Sequence, residues 1–93
     1  MSKLDLLVAK AKDIDIKECV PFWTGSIKNA WQLVEEMVKD GQDIRLEYDG
    51  YSSDWYFGYS NDYCEIIYTS GTTPQESICK GYLEWCDLTR KEN

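Results

Sequence analysis

The chain has 93 residues, enough for one domain with a thin core, and its four Trp, seven Tyr and two Phe supply much of the area that core can bury. It contains no histidine, which removes the commonest general base and the commonest metal ligand together. Its net charge of −7 opposes direct nucleic-acid binding, which rests on Lys and Arg at phosphates, and no apolar run approaches the ~20 residues of a membrane span.

In chain order, Met1 to Leu7 carries charge inside its apolar stretch and lacks a small-residue cleavage site, so it is not read as a signal peptide and a cytoplasmic location is expected. Leu4, Leu7, Val8 and Ala11 fall at helical spacing, and Asp13 to Cys19 alternates as an extended segment; together these make up residues 1–20. Val20 to Gly25 reads as a connector. A strong helix over 26–40 follows, with Ser26 as N-cap and Gly41 placed to end it. Its apolar stripe is Ile27, Ala30, Trp31, Val34, Met37 and Val38, with Leu33 at the margin and Asn29, Glu35, Glu36 and Lys39 facing out. Trp31, mid-stripe, is the expected core anchor.

Residues 43–68 carry three strand patterns joined by short turns, an antiparallel meander. Ile44, Leu46 and Tyr48 alternate with Arg45 and Glu47. Trp55, Phe57 and Tyr59 alternate with Tyr56 and Gly58. Cys64, Ile66 and Tyr68 alternate with Tyr63, Glu65 and Ile67. A last helix over 73–90 opens on the capping box Thr73-Pro74-Gln75-Glu76 and shows Ile78, Cys79, Tyr82, Leu83 and Cys86 on one face, flanked by Trp85. The fold class is therefore α+β, a single domain over 1–93: a three-stranded antiparallel sheet flanked by helices, α-β-β-β-α plus an N-terminal helix. That first helix has the sheet's second face, with Tyr56, Tyr63 and Ile67, available to cover, which would make an α/β/α sandwich.

Cys19, Cys64, Cys79 and Cys86 form no CxxC pair, so buried or free thiols are expected, with no metal and no cofactor. Ser52-Ser53-Asp54 and Ser70 to Thr73 have no partnering base and read as turn and cap residues, so no catalytic residue is assigned and the protein is read as non-enzymatic. The charge is concentrated: between 43 and 65, Asp43, Glu47, Asp49, Asp54, Asp62 and Glu65 oppose Arg45 alone. The helix–strand–strand–strand–helix order is shared with double-stranded-RNA-binding domains, but Thr73 to Ser77 lacks the lysines those domains use, so RNA binding is rejected.

Three segments resemble the phage ABA sandwich domain family of small bacteriophage and prophage proteins: Leu4-Asp5-Leu6-Leu7-Val8-Ala9, Ala30-Trp31-Gln32-Leu33-Val34-Glu35-Glu36-Met37, and Thr73 to Lys80. Lys80 stands where that family usually has Arg, and Gly81 and Tyr82 replace small alanines. The resemblance implies an α/β/α sandwich, a phage or prophage origin and a bacterial host cytoplasm, and it brings no settled activity. The expectation that follows is a binding protein whose acidic, Tyr-rich surface of Glu47, Asp49, Asp54, Tyr56, Asp62, Tyr63 and Glu65 meets a basic site on a host protein. Two alternatives stand beside it: an oligomeric sponge for a nucleotide immune signal, and a phage accessory protein without a defined ligand. A homodimer through the second sheet face is a further option.

Overall fold

The computed structural model describes residues 2–15, 17, 20–60 and 65–90, with Arg90 described for its backbone alone. Three helices, α1 (Lys3–Ala11), α2 (Ile27–Lys39) and α3 (Pro74–Arg90), accompany three strands, β1 (Ile44–Asp49), β2 (Asp54–Ser60) and β3 (Ile66–Gly71). The strands form one antiparallel sheet in the order β1-β2-β3. The α+β class and the element order are those expected from the sequence.

The helix ends follow local chemistry. Ser2 caps α1, its hydroxyl accepting from the Asp5 amide at 3.1 Å and donating to the Asp5 carboxylate at 2.8 Å. Ser26 caps α2 by accepting from the Asn29 amide. At the far end of α2, Gly41 adopts φ +88, and the amides of Gly41 and Gln42 bond back to the carbonyls of Val38 and Met37, closing a Schellman motif. Thr73 accepts from the Glu76 amide at 3.1 Å, while the Glu76 carboxylate reaches past Thr73 to the amide and hydroxyl of Thr72.

The faces that these helices bury differ from those their periodicity suggested. On α2 the buried residues are Ala30, Leu33, Val34 and Met37. Leu33, expected at the margin, is fully buried, whereas Ile27, Trp31 and Val38 are 46%, 45% and 53% exposed. Trp31 is thus not the core anchor. That role falls to Trp23, 1% exposed in the connector, where no period could announce it. Glu36, expected to face out, accepts from the Tyr82 hydroxyl and pairs with Lys12 at 2.8 Å, while the Lys12 ammonium lies 5.6 Å from the Tyr82 ring centre. This node ties the end of α1 to α2 and α3. On α1, Asp5, Val8 and Ala9 are buried while Leu7 is exposed.

The third strand is also turned over. Ile67 pairs with the fully buried Tyr59, and Thr69 pairs with Phe57, so Ile67, Thr69 and Gly71 face the helices. Ile66 and Tyr68, expected beside Ile44 and Leu46, lie on the opposite face with Glu47 and Tyr56. Close approach explains the choice. A side chain at Gly71 would come within 2.7 Å of the Ser77 amide, one at Gly81 would overlap the Phe57 ring, and the Thr69 hydroxyl donates to the Ser77 carbonyl at 2.8 Å. The small residues of β3 must face α3 for the helix to sit this close to the sheet.

Both α2 and α3 pack on the sheet, and α1 packs on α3. The molecule measures 38 × 34 × 19 Å. Each packed layer adds about 10 Å, so the short axis accommodates two layers. The α/β/α sandwich is therefore not formed: α1 extends the helical side, and no described helix covers the second sheet face.

Among the described residues, the buried polar side chains of the core are paired, except for the Trp85 indole N–H. Asp5, fully buried, accepts from the Thr24 amide at 3.0 Å, the Thr24 hydroxyl at 2.8 Å and the Ser2 hydroxyl. Burial opposes its ionisation, but these hydrogen bonds outweigh it and hold the carboxyl below its ordinary value. Cys79 and Cys86 are buried thiols, and burial, with the negative charges of Asp5 and Glu76, pushes Cys79 up to about 12, so it packs as a small hydrophobe. Cys19 and Cys64 lie outside the described residues.

Candidate functional site

The uncovered face of the sheet carries the residues singled out by charge and aromatic content. Strand alternation places Arg45, Glu47 and Asp49 of β1 on it, and the register sets their neighbours: Arg45 beside Gly58, Glu47 beside Tyr56, Asp49 beside Asp54. On β3, Tyr68 lies beside Gly58 and Ser70 beside Tyr56. A side chain at Gly58 would meet the Tyr68 ring at 2.8 Å and Ile66 at 2.9 Å. Glycine here lets Tyr68 and Ile66 fold across the middle of the face.

Glu47, Tyr48, Asp49, Tyr56 and Tyr68 line one open depression of about 530 Å³. Tyr48 belongs by alternation to the helix side, yet it sits beyond the helices at the end of β1, 54% exposed, with its ring tilted against Trp55 at 5.1 Å. Past it the hairpin tip presents Tyr51, fully exposed. The tip is held by Asp49, whose carboxylate accepts from the Tyr51 amide at 2.9 Å and the Ser52 hydroxyl at 3.2 Å, while Ser53 takes φ 59. Asp49 is therefore both a turn former and a wall of the depression.

Of the seven residues expected to form a binding surface, Glu47, Asp49, Asp54 and Tyr56 share this face. Glu65 is exposed one residue before β3. Asp62 and Tyr63 lie outside the described residues. The sequence reading missed Tyr48 and Tyr68, which alternation assigned to the core side. The signal that could have recovered Tyr68 is Gly71: a glycine in phase with Ile67 and Thr69 marks the side against which a helix approaches.

Chemically, the site offers carboxylates and phenols with one guanidinium, Arg45, in the cross-strand row of Gly58 and Tyr68. Asp49 and Asp54 are paired directly across the mouth of the hairpin, a like-charge arrangement that costs stability when nothing lies between. Carboxylates beside aromatic faces suit ammonium and guanidinium groups. Among the described residues, no three Cys, Asp or Glu side chains converge as metal ligands. Comparison of the chain with known family models, with curated proteins and with solved structures finds no match in any of the three.

Proposed function

We propose that the protein acts by binding, its open sheet face docking onto a lysine- and arginine-rich, nucleic-acid-handling site of a host protein. One observation carries this reading: Glu47, Asp49, Tyr56 and Tyr68, on the sheet face that no described helix covers, line a single depression with Tyr48 at its edge. The tyrosines supply desolvated anchors, and the acids supply charge that steers a basic partner. A partner cation that docks at the hairpin end meets Asp49 and Asp54 at paired positions. Among the described residues the same face provides only Arg45 for phosphates, which disfavours a nucleotide ligand. The choice of a host factor as target rests on the sequence resemblance to small phage proteins alone.

The test uses a lysine- and arginine-rich peptide as surrogate ligand, followed by amide NMR, together with capture of partners from a bacterial lysate. Shifts are expected at Glu47, Tyr56 and Tyr68. Affinity should fall as salt rises, since screening shortens the field to about 8 Å at physiological ionic strength. Glu47→Gln with Asp54→Asn, which leaves the Asp49 turn intact, should weaken binding by about tenfold or more. Equal capture of the same partner by wild type and variant, or a nucleotide co-purifying with the protein, would refute the reading.

A further inference from the structure

A second surface stands apart from the sheet. The outer side of α2 leaves Ile27, Trp31 and Val38 46%, 45% and 53% exposed, and Ile27, Lys28, Trp31, Gln32 and Glu35 line a shallow groove of about 420 Å³. Large apolar side chains that share one stripe of a helix and find no cover among the described residues mark a contact face. The charges beside the stripe indicate what covers it. Lys28 and Glu35 are seven residues apart on the same flank, about 10 Å along the axis, and among the described residues neither takes part in an ion pair.

We propose that α2 pairs antiparallel with α2 of a second copy of this chain, about a twofold axis passing between Trp31 and Gln32. In an antiparallel helix pair, residues on the same flank face one another. Lys28 then meets Glu35 of the partner subunit, and Glu35 meets the partner's Lys28, so one pair of charges is satisfied twice by symmetry. Trp31 packs against the partner's Gln32 at the centre. Val38 falls opposite the partner's Gly25, over which the Phe22 ring lies in each copy, 56% exposed and open to a neighbour. A parallel pairing would bring each charge to the other flank, against no complement. This contact leaves the acidic sheet face open.

The proposal is tested by sedimentation equilibrium across about 1 to 300 µM protein. The mass should approach twice the 10.9 kDa of one chain at the upper end. Trp31→Glu should give a monomer with an unchanged thermal melt at low concentration. Lys28→Glu alone and Glu35→Lys alone should each weaken association by about tenfold or more, and the double exchange should restore it. A monomer at every concentration overturns the proposal. So does a dimer that survives Trp31→Glu, or one lost on Tyr56→Ala instead, which would assign the contact to the sheet face. Failure of the double exchange to rescue association overturns the antiparallel register.

Discussion

Asp5 is the residue whose role was least visible beforehand. It is one acid among several near the N-terminus, yet it is fully buried and receives hydrogen bonds from both Ser2 and Thr24, joining the first turn of α1 to the segment that carries Trp23. Charge-assisted hydrogen bonds of this kind are the strong ones, and losing them leaves buried donors unpaired. Asp5→Asn is expected to cost about 2–3 kcal/mol at neutral pH, measured by denaturant unfolding. The pH dependence has a definite sign. The folded carboxyl lies below its ordinary value of about 4, so its contribution is complete above that value and is lost as pH falls through the folded pKa. The stability gap between wild type and Asp5→Asn should therefore be constant from neutral pH down to about 5 and narrow below about 4. A gap that widens on acidification would contradict this account.

At the scale of elements, two tryptophans separate pattern from packing. Trp23 is buried and Trp31 is not, although only Trp31 sits in a clear helical stripe. Trp23→Ala should cost about 3–5 kcal/mol, a large fraction of the stability of a domain this size. Trp31→Ala, in dilute protein, should stay within about 0.5 kcal/mol of wild type. Parallel chemical melts of the two variants decide between the two anchors. The contact of α3 with the sheet makes a comparable demand. Gly81 lies against Phe57 and Thr69, and an added methyl would overlap the Phe57 ring. Gly81→Ala gains about 1 kcal/mol of helix propensity, but forcing α3 off the sheet costs about 1–3 kcal/mol. The substitution is expected to be neutral to destabilising, and a rise in melting temperature would show that the contact yields easily.

At the scale of the molecule, the arrangement of layers determines what is available for binding. Both sheet-packing helices lie on one side and α1 packs on α3, so the acidic face stays open. Three carboxylates, Glu47, Asp49 and Asp54, lie on it, and Tyr48, Tyr56 and Tyr68 line the same depression, with Arg45 in the cross-strand row of Gly58 and Tyr68. The outer stripe of α2 is a separate contact surface, so a dimer through α2 and a partner on the sheet can coexist. Their tests are independent: Trp31→Glu addresses one, and Glu47→Gln with Asp54→Asn addresses the other.

The sequence by itself determined which elements form, in what order, and how α2 and α3 are capped; the third strand, read as ending at Tyr68 with Ser70 and Gly71 in the following turn, instead runs on to Gly71. Caps at Ser26 and Thr73, the stop at Gly41 and the alternation through Ile44 to Tyr59 act within a few residues, so they can be read locally. It also located the acidic stretch and four of the seven residues now on one face. Only the tertiary structure decided which side of each element is inside. On α2, turning the stripe from Trp31 toward Leu33 leaves the periodicity intact, because both residues are apolar. On β3, Ile66 and Ile67 are adjacent and equally greasy, so alternation reads the same in either phase. The choice rests on shape: the small residues Thr69, Gly71 and Gly81 permit close approach of α3 to the sheet on one side only, and that contact turns Tyr68 out to join Tyr56 and Glu47.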